Sequence, residues 1–313
     1  MIRKLAAQTW VWSFVAAALV WLATITYTGG QGAGEILTAA LSFATFTIIV
    51  GLGQMMVITL GPGNVDLSIP ATITLSGVVA MKVMDTTTGL LLFGVLAALG
   101  VSMLVGVFNF ALIRLLRIPP IIATLSSSFL VLSTAISYGR GIRIKPPLPL
   151  SDFATLRYFG IPVAAVLVLL ISVLIYGVLN RTLYGRSVLA VGQNLRAAWL
   201  AGINVDRTRF FTYVLSALLA GVCGILLSGF SGGAALNMGE EFLLASIAVV
   251  VIGGTSVAGG RANVPGVWGA ALFMYLLVTM LNTFGASAGI RLILTGVIII
   301  AVIVAAGGER EGR

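Results

Sequence analysis

Charged residues leave ten charge-free stretches of fifteen residues or more in this chain: 5–34, 36–65, 67–81, 86–113, 118–139, 158–180, 210–239, 242–260, 262–290 and 292–308. A helix needs about 20 largely apolar residues to cross a hydrocarbon core, and about 17 at the short end. Nine of the ten stretches reach that length. Trimmed at glycine and proline signals, they predict helices over 10–27, 36–60, 67–84, 89–113, 119–138, 161–180, 210–230, 242–256, 265–284 and 291–307. The predicted fold is all-α, a polytopic transmembrane helical bundle of about ten spans forming a single domain over 1–313. No linker divides it. The longest connections are 139–160, with Pro146, Pro147 and Pro149, and 181–209.

Composition removes the soluble alternative. Hydrophobic residues are 59% of the chain and charged ones 9%, where soluble proteins carry roughly 25% charged. The net charge of +9 comes from 18 basic residues spread thinly between spans rather than gathered on one face, so nucleic acid is not an expected partner. Their distribution sets orientation. With the amino and carboxyl termini in the cytoplasm, Arg3, Lys4, Arg114, Arg117, Arg181, Arg186, Arg196, Arg207, Arg209, Arg261, Arg310 and Arg313 lie inside. The majority has the sign of the positive-inside rule; Arg140, Arg143, Lys145 and Arg157, on an outside connection, run against it. The expected location is a bacterial inner membrane. The start, MIRKLAAQTW, fits either a cleavable signal peptide or a retained first span anchored at the interface by Trp10 and Trp12.

Candidate chemistry is sparse. Cys223 is the single cysteine and there is no histidine, which removes zinc, haem and Ser-His-Asp chemistry together; no catalytic residue and no metal site are expected. Two places break the hydrophobic pattern: Gly61 to Ser68, and Gly253-Gly254 through Arg261. Interrupted helices of this kind mark the binding regions of many transporters, and tight turns between spans would give the same pattern. Asp66 stands where a helix begins, as a cap favoured by the helix dipole or as an ion site. Neutral polar residues punctuate the spans: Gln54, Asn109, Ser126, Ser127, Ser128 and Asn282. They fit hydrogen bonding between helices or, as a set, a path for a neutral polar solute through Gln54, Asn109, Ser126 and Asn282. Ala217, Ala220, Gly221 and Gly224 form a small-residue seam for close packing.

The segment 181–209 is the most informative. Leu195 to Ala201 reads as a short helix capped by Asn194 and stopped by Gly202, with Leu195, Ala198 and Trp199 at i, i+3, i+4 spacing. So short a helix is unstable alone in water. It needs the bilayer, its own protein or a partner's groove to cover it.

At these residues the sequence resembles the permease subunits of ribose-type ABC sugar importers. The likeness runs through Tyr184-Gly185-Arg186, Ala190-Val191-Gly192, Asn194, Ala197-Ala198 and Ala201-Gly202-Ile203, then Ser216-Ala217, Ala220-Gly221, Ala248 to Ser256, Gly259-Gly260-Arg261, Gly266 and Gly269-Ala270. In the first half Val65-Asp66-Leu67-Ser68 and Ile118 to Leu125 match as well. The resemblance implies two permease subunits (two copies or two paralogues), an ATP-binding cassette subunit holding ATP and Mg, and a soluble solute-binding protein outside. It also implies that Gly192, Asn194, Leu195, Ala198, Trp199, Gly202 and Ile203 form the ATPase-coupling element. The chain departs from the family pattern at Gly63-Asn64-Val65, at Ile69-Pro70 and at Ser126, changes that bear on the substrate more than on the mechanism.

One check is independent of the resemblance. A P-loop needs Gly before Lys and then Ser or Thr, and Lys4, Lys82 and Lys145 follow Arg3, Met81 and Ile144. The chain does not hydrolyse ATP by that route. The leading expectation is a permease subunit importing a sugar or similar neutral polyhydroxylated solute by alternating access. A secondary transporter driven by an ion gradient is the alternative, with Asp66 nearly alone as a coupling group.

Overall fold

The computed structural model describes residues 9–141, 143–287, 289–290, 293–294, 296–297 and 300. In chain order its helices are α1 (Thr9–Tyr27), α2 (Ala33–Thr59), α3 (Ile69–Met84), α4 (Leu91–Leu115, entered by a 3-10 turn), α5 (Pro120–Gly139), α6 (Leu148–Thr155), α7 (Val163–Arg181), α8 (Leu183–Gln193), α9 (Leu195–Leu200), α10 (Val205–Phe230), α11 (Phe242–Ile252) and α12 (Val264–Thr283). Among the described residues, seven helices are long and apolar enough to cross a membrane: α1, α2, α4, α5, α7, α10 and α12.

Two apolar helices are shorter. At 1.5 Å per residue α3 runs about 24 Å and α11 about 16 Å, against a hydrocarbon core of about 30 Å. One end of each meets one of the two glycine-rich breaks, so their shortness and the breaks have one cause. The protein is a multi-pass helical bundle with interrupted helices.

The first nine predicted helices are all present. The tenth, over 291–307, lies outside the described residues apart from scattered positions, as do Arg3, Lys4 and the carboxyl terminus. The connections hold more structure than the hydrophobic pattern shows. Segment 181–209 contains α8 as well as α9, and α10 starts at Val205 because the Asn204 side chain accepts the Arg207 N–H and caps it. Connection 139–160 contains α6 and leads into a hairpin, Arg157–Tyr158 against Ile161–Pro162. Its two-residue turn, Phe159-Gly160, has both φ angles positive, the geometry that matches strand twist in tight hairpins.

Helix α10 is the centre of the bundle and packs on α2, α3 and α4; α12 packs on α1 and α2, and α11 on α2. The small-residue seam is real. Ala217, Ala220, Gly221 and Gly224 are all buried, and a Cβ on Gly221 would fall on Ser102 of α4, one on Gly224 on Ser76 and the Ile73 carbonyl of α3. With water absent on both sides of a membrane interface, association rests on such close backbone approach.

Candidate functional site

The break between α2 and α3 is built from polar groups supplied by four helices. Asp66 is 1% exposed, and its carboxylate accepts three hydrogen bonds. Oδ1 takes the Ser68 N–H at 3.0 Å and the Ser68 hydroxyl at 2.6 Å, and Oδ2 takes the Ser216 hydroxyl of α10 at 2.9 Å. Ser68 precedes the first residue of α3, so Asp66 satisfies a donor at the start of that helix and ties it to α10. The capping reading of Asp66 thus has a geometry, with the bond made to the residue before the helix and not inside its first turn.

Around this carboxylate the other partners close. The Asp66 N–H donates to Gln54 Oε1 of α2 at 3.2 Å, and Asn109 Nδ2 of α4 donates to Ser68 Oγ at 2.7 Å. Thr124 of α5 donates to the Val65 carbonyl and receives the Leu67 N–H. Tyr213 of α10 donates to Asn64 Oδ1 at 3.3 Å, while Asn64 Nδ2 turns back to the Gly61 carbonyl. Backbone groups exposed by a helix break inside a membrane must be satisfied by such side chains. Pro70 fits because the second position of a helix has no intrahelical use for its N–H. Gln54 Nε2, Asn109 Oδ1 and Ser127 Oγ are buried and make no hydrogen bond.

The predicted path residues therefore separate. Gln54 and Asn109 are fully buried in the network at the break. Ser126 is exposed on α5, one residue from the buried Ser127, and Asn282 is exposed near the opposite end of α12 from its start at the second break. Ser68, Thr124, Tyr213 and Ser216 join the site beyond the predicted set. Three of the four stood in resembling motifs, and Tyr213, an aromatic within an apolar span, carried no local signal.

The second break follows α11. Gly254, at φ 83°, and Thr255 turn the chain, their N–H groups donating to the Val251 and Val250 carbonyls. The Thr255 hydroxyl accepts the Asn263 N–H, and Asn263 Oδ1 caps α12 by accepting the Gly266 N–H. Gly253 and Gly266 meet backbone to backbone, with no room for a Cβ on either.

Helices α8 and α9 lie over this end of the bundle. Asn194 caps α9 as predicted, Oδ1 accepting the Ala197 N–H at 2.9 Å, and Gly202 ends it at φ 85°. The predicted face does not hold together. Ala198 is 4% exposed and packs inward, whereas Leu195, Trp199 and Leu200 are 45%, 67% and 70% exposed. The small alanine is the side chain that fits against the bundle, and the large apolar ones project. Gly192 is buried and Ile203 partly so, so neither belongs to the projecting surface. Tyr184 of α8 shares a hydrogen bond with Thr212 of α10 at 2.8 Å; burial pushes its hydroxyl up to about 12, so the anchor stays neutral.

Fold and site together define a polytopic membrane permease with interrupted helices and a capped surface helix at the broken end. The chain belongs to the family described as branched-chain amino acid transport system / permease component, whose sequence model matches residues 36–303. It is similar to the fructose import permease protein FrcC of Rhizobium meliloti, 31% identical over 276 residues that cover 85% of this chain and 76% of that protein. It is also similar to the autoinducer 2 import system permease protein LsrD of Photorhabdus laumondii, 29% identical over 95% of this chain and 91% of that protein. A probable ABC transporter permease protein, y4mJ of Sinorhizobium fredii, is 33% identical over 82% of this chain and 77% of its own length. No solved structure matches the chain. The protein is the transmembrane, permease component of an ABC importer and a multi-pass inner-membrane protein.

Proposed function

We propose that this permease imports a sugar or sugar-like neutral solute, with α9 as the docking element for a separate ATP-binding subunit in the cytoplasm. The observation that carries the docking reading is the open apolar surface of Leu195, Trp199 and Leu200 on a six-residue helix capped at both ends. Such a surface on so short a helix calls for a cover, and a nucleotide-hydrolysing partner supplies both the cover and the energy. This orientation puts α8, α9 and both breaks on the cytoplasmic side and the hairpin at Phe159 outside, where a solute-binding protein delivers its cargo. A second permease, a copy or a paralogue, completes the transmembrane pair.

The solute class follows from the relatives and from charge. The fructose and autoinducer 2 permeases speak for a sugar-like cargo, against the amino acid in the family description. Helix α5 presents Ser126, Ser133 and Ser137 on its exposed side at i, i+7, i+11. Set among the exposed Ile122, Leu125, Phe129, Leu130 and Ile136, these hydroxyls would line one edge of a polyol path where a second permease covers the apolar remainder. A charged solute would need a fixed countercharge, since a charge at the bilayer centre costs at least about 2.5 kcal/mol; the described part of α5 from Pro120 to Gly139 carries none.

Uptake by the complete importer in vesicles tests both points, with labelled fructose, fructose 6-phosphate and leucine as probes. Fructose is expected to be taken up in preference to the other two. Preference for the phosphate or for leucine would overturn the neutral-solute reading, and uptake driven by an ion gradient without ATP would overturn the importer reading.

A further inference from the structure

We propose that Gly192 is the positioning residue through which movement of the docking helix reaches both helix breaks at once; the inference rests on the docking reading above. Gly192 is the penultimate residue of α8 and is buried. A Cβ there would fall on the Thr59 carbonyl oxygen, at the end of α2, and on the Gly260 nitrogen, in the second break. Those two atoms are hydrogen-bonded to each other, Gly260 N–H donating to Thr59 O at 2.9 Å. The α-carbon of Gly192 is thus pressed against the bond that joins one break to the other.

The same point is closed from its other sides. A Cβ on Gly259 would fall on the Gly61 α-carbon and lie 2.9 Å from the Gly192 carbonyl oxygen, and one on Gly260 would lie 2.8 Å from the Gln193 nitrogen. Gln193 Nε2 donates to the Gly260 carbonyl at 3.3 Å. Three segments far apart in sequence, 59–61, 192–193 and 259–260, therefore meet backbone to backbone.

Gly61, Gly259 and Gly260 have positive φ, a sufficient reason for glycine at each of them. Gly192 has no such reason. It sits in a helix, where glycine is less favourable than alanine, so close approach is what its lack of a side chain provides. Broken local rules of this kind point to function.

Nothing flexible separates this junction from the docking helix. Asn194 is at once the residue that closes α8, its N–H bonded to the Ala190 carbonyl, and the cap of α9. A push on Leu195 or Trp199 passes through Asn194 and Gln193 to Gly192, and from there into both breaks without a deformable side chain between.

The test uses the complete importer with its ATPase subunit, in a Cys223→Ala background with one reporter per variant: Pro62→Cys in the first break or Val257→Cys in the second, both exposed positions. Labelling by a small maleimide is followed with and without a non-hydrolysable ATP analogue. With Gly192 present, nucleotide is expected to change the rates at both reporters. With Gly192→Ala the ATPase subunit should still co-purify while both changes are lost. A nucleotide response that survives at both reporters in Gly192→Ala would overturn the proposal.

If Gly192→Ala does not fold, Gln193→Ala replaces it. Removing the bond to Gly260 should then weaken the response at 257 more than at 62, and an undiminished response at both positions would equally overturn the proposal. A different result marks failure of the docking reading itself: no co-purification, or no nucleotide response at either reporter, with Gly192 intact.

Discussion

Asp66 offers the sharpest quantitative test, because its three hydrogen bonds respond differently to two substitutions. In Asp66→Ala the Ser216 hydroxyl can turn back to a carbonyl of its own helix, but the Ser68 N–H has nowhere to turn. One orphaned buried donor costs about 1–3 kcal/mol, with whatever the two hydroxyls fail to recover added to it. In Asp66→Asn the amide oxygen keeps both bonds from Ser68, and its NH2 faces Ser216 Oγ, which reverses from donor to acceptor. Trading a charged acceptor for a neutral one forfeits up to about 1.5 kcal/mol per bond. Against that, the variant no longer buries a carboxylate that forms no ion pair among the described residues, and such burial costs several kcal/mol. The opposing terms are of similar size, so Asn should lie much closer to the parent than Ala does. The assay is the thermal unfolding of purified protein in detergent, paired with uptake in vesicles: Ala should melt clearly lower and Asn close to the parent with transport retained. If Asn kept its melting temperature and lost transport, the charge itself would be required, and the structural account of Asp66 would fall.

Three further outcomes follow from the same geometry. Trp199→Glu should abolish co-purification with the ATPase subunit while changing stability by no more than about 0.5 kcal/mol, the usual range for an exposed site; retained assembly would remove α9 as the docking element. Gly224→Val drives a branched side chain into Ser76 and the Ile73 carbonyl and should cost at least the ~1–3 kcal/mol typical of overpacking, seen as lost yield of monodisperse protein. Asn109→Ala removes the bond to Ser68 and leaves a cavity at the break, so it should lower the melting temperature and leave the apparent KM for the solute unchanged; a KM change at constant stability would return Asn109 to the solute path.

The helices were legible from the sequence because in a membrane protein one variable, the absence of charge over some twenty residues, carries most of the information. The caps at Asn194 and Gly202 were legible for a similar reason, since each acts on backbone atoms within a few residues. What the sequence did not show depends on partners distant in the chain. Ala198 belonged by spacing to the same face as Leu195 and Trp199, and only the bundle beneath α9 decides which of them is covered. Gln54 and Asn109 read as packing amides or, with Ser126 and Asn282, as a solute path, because an amide in an apolar span has two uses; their hydrogen bonds at the break depend on Asp66 and Ser68, which the chain brings to them from 12 and 41 positions away. The extra helices α6 and α8 lie in connections whose mixed polarity conceals their period from a test built on charge-free runs.

The polar network also constrains how such a permease can move. Several backbone groups freed at the first break are satisfied by side chains of other helices, Thr124 from α5 for the Val65 carbonyl and the Leu67 N–H, Gln54 from α2 for the Asp66 N–H, while the Ser68 N–H and the Gly61 carbonyl are met inside the break by Asp66 and Asn64. In a medium without water an orphaned group costs several kcal/mol, so the break cannot shift alone. Helix ends that hold its donors and acceptors must travel with it, and the displaceable unit is the break together with the nearby ends of α2, α3, α4 and α5 and the stretch of α10 around Tyr213 and Ser216. Rearrangement is then cheapest where helices meet through small residues and few hydrogen bonds. Gly269 on α12, set against Ser13 and Phe14 of α1 and outside that unit, makes one such seam. The chemistry that fixes the break thus moves flexibility away from it, to the interfaces that glycine keeps smooth.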